Sequence, residues 1–345
     1  MNEFKKTPTI QDVARVAEVS SATVSRALTS PERVSEATRE RITAAVLETG
    51  YTVNQMARSL RLRAAKTILI AIPNIGNPFY STILDAVVQD AAERGYGVLV
   101  ANRLGGDPTL GLKDYFYSNR ADGLLLFDAT LDLESLQDLP LVRGNRPLVL
   151  SCDDIPDAPL DLVMTDNRDA ADTATRHLIE LGHKKIGTVR SRTTPNVVSE
   201  RHAGFERALM RADLPIRQDW IWQGDHAIAG GIAAAESWLA LNERPTAMFC
   251  GNDETAIGFI SRLRQSGVDC PRDVSVVGFD DIAVAEHLLP ALTTMRQPRY
   301  DMGKVATALL LDILDGPATE RTPARRILKS ELIIRASTAP PRDCN

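Results

Sequence analysis

Thr9-Ile10-Gln11-Asp12-Val13-Ala14-Arg15-Val16-Ala17-Glu18-Val19-Ser20-Ser21-Ala22-Thr23-Val24-Ser25-Arg26-Ala27-Leu28 is the stretch that decides how the chain begins. Thr9 is placed to cap a helix, because its side-chain oxygen can accept one of the amide hydrogens that a helix start leaves unpaired. Ile10, Val13, Ala14 and Ala17 then recur at i, i+3, i+4 and i+7, one buried stripe on a short amphipathic helix. After Glu18-Val19, Ser20 caps a second helix that turns Val24, Ala27 and Leu28 inward and leaves Ser21, Ala22, Ser25 and Arg26 on the opposite face. That face is small, polar and basic. Small side chains let a helix sink into the DNA major groove, the Ala22 methyl can touch thymine, and Arg26 can make paired hydrogen bonds to a guanine edge.

A third helix follows, with Ser35 as its cap, Ile42, Ala45, Val46 and Thr49 as its inner stripe and Gly50 as its stop. Three such helices close a small core. The charge distribution agrees with a nucleic-acid partner. Residues 1–66 hold eleven Lys+Arg against seven Asp+Glu, a balance of +4, while the remainder holds 29 against 38, a balance of −9, within a chain total of −5. A basic start on an acidic body suits contact with a polyanion, since neutralising phosphates dominates nucleic-acid affinity. Next comes Asn54-Gln55-Met56-Ala57-Arg58-Ser59-Leu60. Seven residues fall well short of the roughly 12 to 15 that an isolated helix needs, so this segment is expected to fray on its own. As plain chemistry it is a basic linker with one stray leucine.

From Lys66 onward short apolar runs alternate with helical stretches. Ile68–Ile72, Val98–Ala101, Leu124–Phe127 and Leu148–Leu150 predict strands buried on both faces, separated by helices such as Tyr80–Arg94, which ends at Gly95. A second series, Ile186–Val189, Thr246–Cys250 and Val274–Gly278, interleaves with helices near Asp169–Leu181, Glu200–Ala212, Gly230–Leu241 and Glu254–Ser266. Two similar parallel α/β sheets are expected. Ligands of open parallel sheets bind outside the carboxyl ends of the strands, so two such lobes facing each other would enclose a cleft.

The motifs together resemble the lactose-repressor-like (LacI/GalR) transcription regulators. The likeness is carried by Thr9 to Ala14, Val19 to Arg26, Val34-Ser35 with Thr38-Arg39, Gly50-Tyr51 and Asn54 to Leu60. It continues through Asn77-Pro78-Phe79-Tyr80, Gly95-Tyr96, Asp122-Gly123, His177-Leu178, Leu181-Gly182-His183, Arg201 with Gly204-Phe205, Asn252-Asp253, Gly278-Phe279-Asp280-Asp281 and Leu292-Thr293-Thr294. The resemblance implies a helix-turn-helix head joined by a hinge helix to a two-lobed domain of periplasmic-binding-protein type. It implies that Ser21, Ala22 and Arg26 read bases, that Thr23, Ser25 and neighbouring backbone amides hold phosphates, and that Ser20 is among the DNA-binding residues. It also implies that Asn54, Ala57, Arg58 and Leu60 form a hinge that turns helical on the operator, with Leu60 wedged into the minor groove. The family usually has glycine in the turn where Glu18 stands, so a slightly strained turn is expected.

In the two-lobed domain the resemblance implies an effector site. Arg201, Asn252 and Asp280, expected at loop or element ends, would hydrogen-bond the effector, with Asn74, Phe79 and His226 completing the set. An arginine, an amide and a carboxylate suit a hydroxyl-rich ligand, because each sugar hydroxyl both donates and accepts. An alternative is that Asp280 and Arg201 only pair with each other across an empty cleft. His226 departs from the aromatic residue more usual at its position and leaves a stacking surface there in doubt. His177 and His183 match positions that look structural.

Other readings are weaker. A periplasmic-type sugar-binding protein would fit the body alone, but the polar start, Met1 to Pro8, is no signal peptide and a DNA-reading head precedes the body. A dinucleotide enzyme would need a glycine-rich turn, whereas Pro73-Asn74-Ile75-Gly76-Asn77-Pro78 is not G-x-G-x-x-G, and neither a P-loop nor G-x-S-x-G occurs. The scattered Cys152, Cys250, Cys270 and Cys344 and the absence of H-E-x-x-H suggest no metal site and no cofactor. No apolar run is long enough to cross a bilayer, and a cytoplasmic location, on the nucleoid when operator-bound, is expected. The domains expected are a head at 8–53, a hinge at 54–66 and an effector domain at 67–340. Its first lobe would span about 67–163 and 295–322 and its second about 164–294 and 323–340. The expected partners are a near-palindromic double-stranded operator, a sugar-like effector and a second copy of the chain. One short helix reads too few base pairs alone, and the tail with Pro340-Pro341 lacks heptads for a tetramer.

Overall fold

In the computed structural model, Thr9 donates its backbone N–H and its hydroxyl to the Asp12 carboxylate, at 2.9 and 2.8 Å, and so opens α1 (Ile10–Val16). The structure describes residues 8–52, 64–102, 110–127, 136, 147–155, 158–191, 195–317 and 322–342. They fall into two units divided between Ala65 and Lys66. The smaller unit holds α1, α2 (Ser21–Thr29) and α3 (Glu36–Thr49) around Val13, Ala14, Val24, Ala27, Ile42 and Ala45. Gly50, at φ 66°, ends α3 in the left-handed conformation that glycine adopts without penalty. Leu28, expected inside, is 37% exposed, because this small core is filled without it. The hinge residues Asn54, Ala57, Arg58 and Leu60 lie outside the described residues.

The larger unit contains two six-stranded sheets among the described residues. The first is built from β1 (Thr67–Ile72), β2 (Gly97–Asn102), β3 (Gly123–Leu126), β4 (Leu148–Ser151), β5 (Asp161–Thr165) and β11 (Arg325–Leu328), in the order β11-β5-β4-β3-β1-β2 and parallel throughout. The second is built from β6 (Ile186–Ser191), β7 (Ile221–Gly224), β8 (Ala247–Cys250), β9 (Ser275–Asp280), β10 (Thr293–Arg296) and β12 (Glu331–Ile333), in the order β12-β10-β9-β8-β6-β7, with only β12 antiparallel.

Helices cover both faces of each sheet, which is why the central strands read as unbroken apolar runs. On the first sheet these are α4 (Phe79–Glu93), α5 (Leu110–Tyr117) and, numbered later in the chain, α10 (Arg299–Asp315). On the second they are α6 (Asn167–Glu180), α7 (Pro195–Arg211), α8 (Ile228–Ala240) and α9 (Asp253–Gln265). α8 and α9 approach with a glycine of each against a carbonyl of the other. A Cβ at Gly231 would stand 2.0 Å from the Thr255 oxygen, and one at Gly258 would stand 2.0 Å from the Ile228 oxygen.

Two expectations are corrected. β2 is not buried on both faces, because it is the edge strand of its sheet. The lobe boundaries near 294 and 322 also move. β10 stays in the second sheet through Arg296, and β11 pairs with β5 in the first sheet through Leu328. The chain therefore crosses between lobes after Thr165, after Arg296 and after Leu328.

The last crossing leads into a strap tied across the amino ends of the second sheet. The Ser337 hydroxyl donates to the Val276 carbonyl at 2.6 Å and accepts from the Thr293 N–H at 2.8 Å. His183 Nε2 meets the Ala339 carbonyl at 2.9 Å, so that nitrogen carries the proton, and Nδ1 meets the Thr246 hydroxyl at 2.9 Å. His177 Nε2 lies 3.0 Å from the Thr338 hydroxyl. Burial pushes both imidazoles below their ordinary pKa.

Candidate functional site

The outward face of α2 is set by its cap. Ser20 accepts the Thr23 N–H at 3.1 Å, and the two hydroxyls lie 2.8 Å apart, which commits the Thr23 side chain to the helix start. Val24 and Ala27 face the core, so Ala22 and Arg26, one turn apart, stand exposed together, with Ser21 and Ser25 half-buried beside them. Arg26 has no ion-pair partner among the described residues. The turn before the helix runs through Glu18 at φ 52°, a left-handed conformation that costs a non-glycine residue about 1 kcal/mol or more. This is the strain expected where glycine is more usual.

The second site lies between the lobes of the larger unit. Phe79, Arg201, His226, Asn252 and Asp280 line one cavity of about 50 Å³, together with Asn77, Asp153 and Gln297. Asn74 does not line it. Its side-chain oxygen accepts the Gly76 N–H at 2.8 Å and shapes the turn that presents Asn77 instead.

Arg201 lies inside α7, not at an element end, and reaches the cavity one helical turn from Val197, which also lines it. Its Nε donates to Asn167 at 2.8 Å, a second nitrogen donates to the Gly251 carbonyl, and the guanidinium stacks 3.7 Å from the centre of the Phe279 ring. Asn252 caps α9 by accepting the Thr255 N–H at 3.1 Å and donates to the His226 carbonyl at 2.9 Å. That second bond holds His226 at φ 59° with its ring in the cleft. Burial, then the Arg201 charge, push the His226 imidazole down to about 3, so it enters the cleft as a neutral group with one donor and one acceptor.

Asp280 ends β9 and accepts the Gln297 side-chain amide at 2.7 Å, while Arg201 stands 3.9 Å away. Each has closer partners than the other, so the two do not only pair with each other in the cleft. Burial raises the Asp280 carboxyl to about 6 against the opposing pull of Arg201. Gln297 is a residue that sequence reasoning missed. It lies on the second crossing strand, and its oxygen accepts the Thr165 hydroxyl at 2.8 Å. Asn167 closes the circuit by donating to the Thr165 carbonyl at 3.2 Å. Arg201, Asn167, Thr165, Gln297 and Asp280 thus form one buried ring of polar contacts through two of the three crossings, with every group partnered, as such burial demands.

Arg299, at the start of α10, ties the lobes a second time, donating to the Asp281 carbonyl at 2.7 Å and reaching the Pro78 carbonyl at 3.4 Å. No helix among the described residues is long and apolar enough to cross a membrane.

Comparison with known proteins agrees with this geometry. Residues 9–54 match the model of bacterial regulatory proteins of the lacI family, and residues 175–338 match that of a periplasmic binding protein-like domain. The chain is similar to the HTH-type transcriptional repressor CytR of Escherichia coli (strain K12), 36% identical over 333 residues and 96% of each chain. Among solved structures, it is similar to a transcriptional regulator CelR–cellobiose complex, at 31% identity and a TM-score of 0.72 over 96% of this chain and 99% of that one. It is also similar to the Lac repressor dimer bound to operator and the anti-inducer ONPF, at 27% identity and a TM-score of 0.85 over 97% of this chain and all of that one.

Proposed function

The chain belongs to the lacI family of bacterial regulatory proteins, DNA-binding regulators that carry a ligand-binding domain, and from that premise we propose that it is a repressor of carbohydrate-utilisation genes whose grip on its operator is set by a sugar-like effector. The observation that carries most weight is the convergence of Arg201, Asn252, Asp280 and the neutral His226 on one cavity with Phe79 on its opposite wall. Donors, acceptors and an aromatic face in one small space suit a hydroxylated ring. Sugars are what related structures hold, cellobiose in one and ribose in another.

In this reading Ser21, Ala22 and Arg26 read bases in the major groove, and Thr23 and Ser25 lie at the phosphates, with Ser20 among the DNA-binding residues. Asn54, Ala57, Arg58 and Leu60 form the hinge on the operator. The working unit in this reading is a homodimer, as the Lac repressor dimer on its operator suggests, on a near-palindrome and acting in the cytoplasm and on the nucleoid. The cavity, about 50 Å³, has room for a few waters, and in this reading the lobes separate at the crossing strands to admit a monosaccharide. Effector binding then biases the lobe arrangement, and a coupling of about 1 to 3 kcal/mol changes operator affinity several-fold to a hundredfold.

The test is a gel-shift titration on a duplex selected from random sequence, against a panel that includes D-ribose, cellobiose, other sugars and nucleosides. At least one compound should shift the apparent affinity, and the shift should vanish in Asp280→Ala. A protein that selects no sequence, or whose Asp280→Ala variant responds as the parent does, refutes the corresponding half of the reading.

A further inference from the structure

Asp253 is the first residue of α9, a position where an acidic side chain ordinarily lies in solvent beside the free amides of the helix start. Here it is 0% exposed, and its carboxylate turns away from its own helix. Oδ2 accepts the Ile282 N–H at 2.9 Å, and Oδ1 accepts the Thr294 hydroxyl at 2.6 Å. Only glycine at 278 admits it, because a Cβ there would stand 2.2 Å from Oδ1. One contact thus ties Asp253 of the Asn252-Asp253 motif to Gly278 of the Gly278-Phe279-Asp280-Asp281 motif.

Asp280 and Asp281 both take left-handed backbone, at φ 116° and 53°. Such conformations in residues with side chains persist only where the surroundings over-determine them. Asp281 has its own anchors, Arg296 at 2.6 Å and Arg335 at 2.7 Å. Immediately downstream, the Ile282 amide is held by Asp253, and Thr294, on the strand that pairs with β9, is held by the same carboxylate.

We propose that Asp253 is the positioning residue of the effector cleft: outside the cavity itself, it staples Ile282 and Thr294 to the start of α9 and so fixes the left-handed turn that aims Asp280 at the ligand. Its neighbour Asn252 caps the same helix, so a single buried carboxylate sets the spacing of the two polar groups on the second-lobe wall. The inference rests on Asp280 being an effector ligand, but its test needs no effector.

The experiment uses the full chain and records two signals: the side-chain amide of Gln297 by NMR, assigned through Gln297→Ala, and hydrogen exchange of the Ile282 amide. In the parent, the Gln297 proton bonded to the Asp280 carboxylate should be displaced from the free-amide position. In Asp253→Ala it should return to that position, and Ile282 exchange should quicken on the order of tenfold, the loss expected of one bond to a buried carboxylate. A change in global stability alone would not move a native-state chemical shift. Thr294→Val should reproduce the loss and Thr294→Ser should retain the parent signal, and this pair decides the matter if Asp253→Ala does not fold. An unmoved Gln297 signal in folded Asp253→Ala or in Thr294→Val overturns the proposal, as does a Thr294→Ser variant that behaves like Thr294→Val. If the Gln297 signal moves as expected while an Asp280→Ala protein still responds to sugar, the positioning stands and the effector role of Asp280 falls.

Discussion

The carboxylate of Asp280 accepts the side-chain amide of Gln297 at 2.7 Å, and the same glutamine accepts a hydroxyl from Thr165 on the first sheet. Gln297→Leu keeps the volume but leaves a buried carboxylate oxygen and a buried hydroxyl without partners. Unsatisfied buried groups cost about 1 to 3 kcal/mol each, and more for a charged one. Thermal melting should show a drop of at least several degrees, with the affinity for a selected duplex retained by a folded head.

Asp280→Asn should separate stability from function. Burial holds the folded carboxyl at about 6, above its ordinary 3.8, so the native state binds more protons than the unfolded state between those values. The contribution of this group is complete below the unfolded value and is lost as pH rises through about 6. The amide mimics the protonated form. The variant should therefore melt at the parent's temperature near pH 4 and gain on it as pH is raised to 7, while losing its response to sugar. Calorimetry across that range checks the sign, and a parent that gains on the variant as pH rises would reverse it.

Arg26→Ala should erase preference among duplexes while leaving weak, salt-sensitive binding. A paired contact to guanine is worth about 1 to 3 kcal/mol of discrimination, so the selected sequence should lose roughly an order of magnitude or more over random DNA. Footprinting gives the readout, and an unchanged footprint assigns base reading elsewhere.

Acid should loosen the strap beneath the second sheet. The folded pKa values of His177 and His183 are depressed by burial, so their contribution to stability is present above the unfolded value of about 6.5 and is lost as pH falls below it. Across pH 7 down to pH 5, where Asp280 works in the opposite sense, the melting temperature of His183→Gln should gain on the parent's. Equal slopes in both proteins would place the acid sensitivity at other groups.

Much of this was legible in the sequence, for reasons that differ by element. The head helices announced themselves through capping residues and a 3.6-residue apolar period, and β1, β3 and β4 through unbroken runs that only a sheet covered on both faces requires. β2 was readable as a strand but not as an edge, because edge position depends on which strands pair. α10 carries a readable stripe, Met302, Ala306 and Leu310. In the cleft, Phe79, Arg201, His226, Asn252 and Asp280 were implied by the family resemblance at matching positions. Gln297, Asn167 and the choice of Asn77 over Asn74 were not, since each depends on where a crossing strand or a turn brings its side chain, which spacing alone does not encode.

The interlocked glycines of α8 and α9 bear on how such a receptor could change its ligand over time. His226 sits just ahead of one helix and Asn252 caps the other, so this wall is a single casting with two mounted fittings. New specificities are accessible by exchanging the fittings, whereas a bulkier residue at Gly231 or Gly258 would warp both mounts together and forfeit the old ligand without supplying a new one.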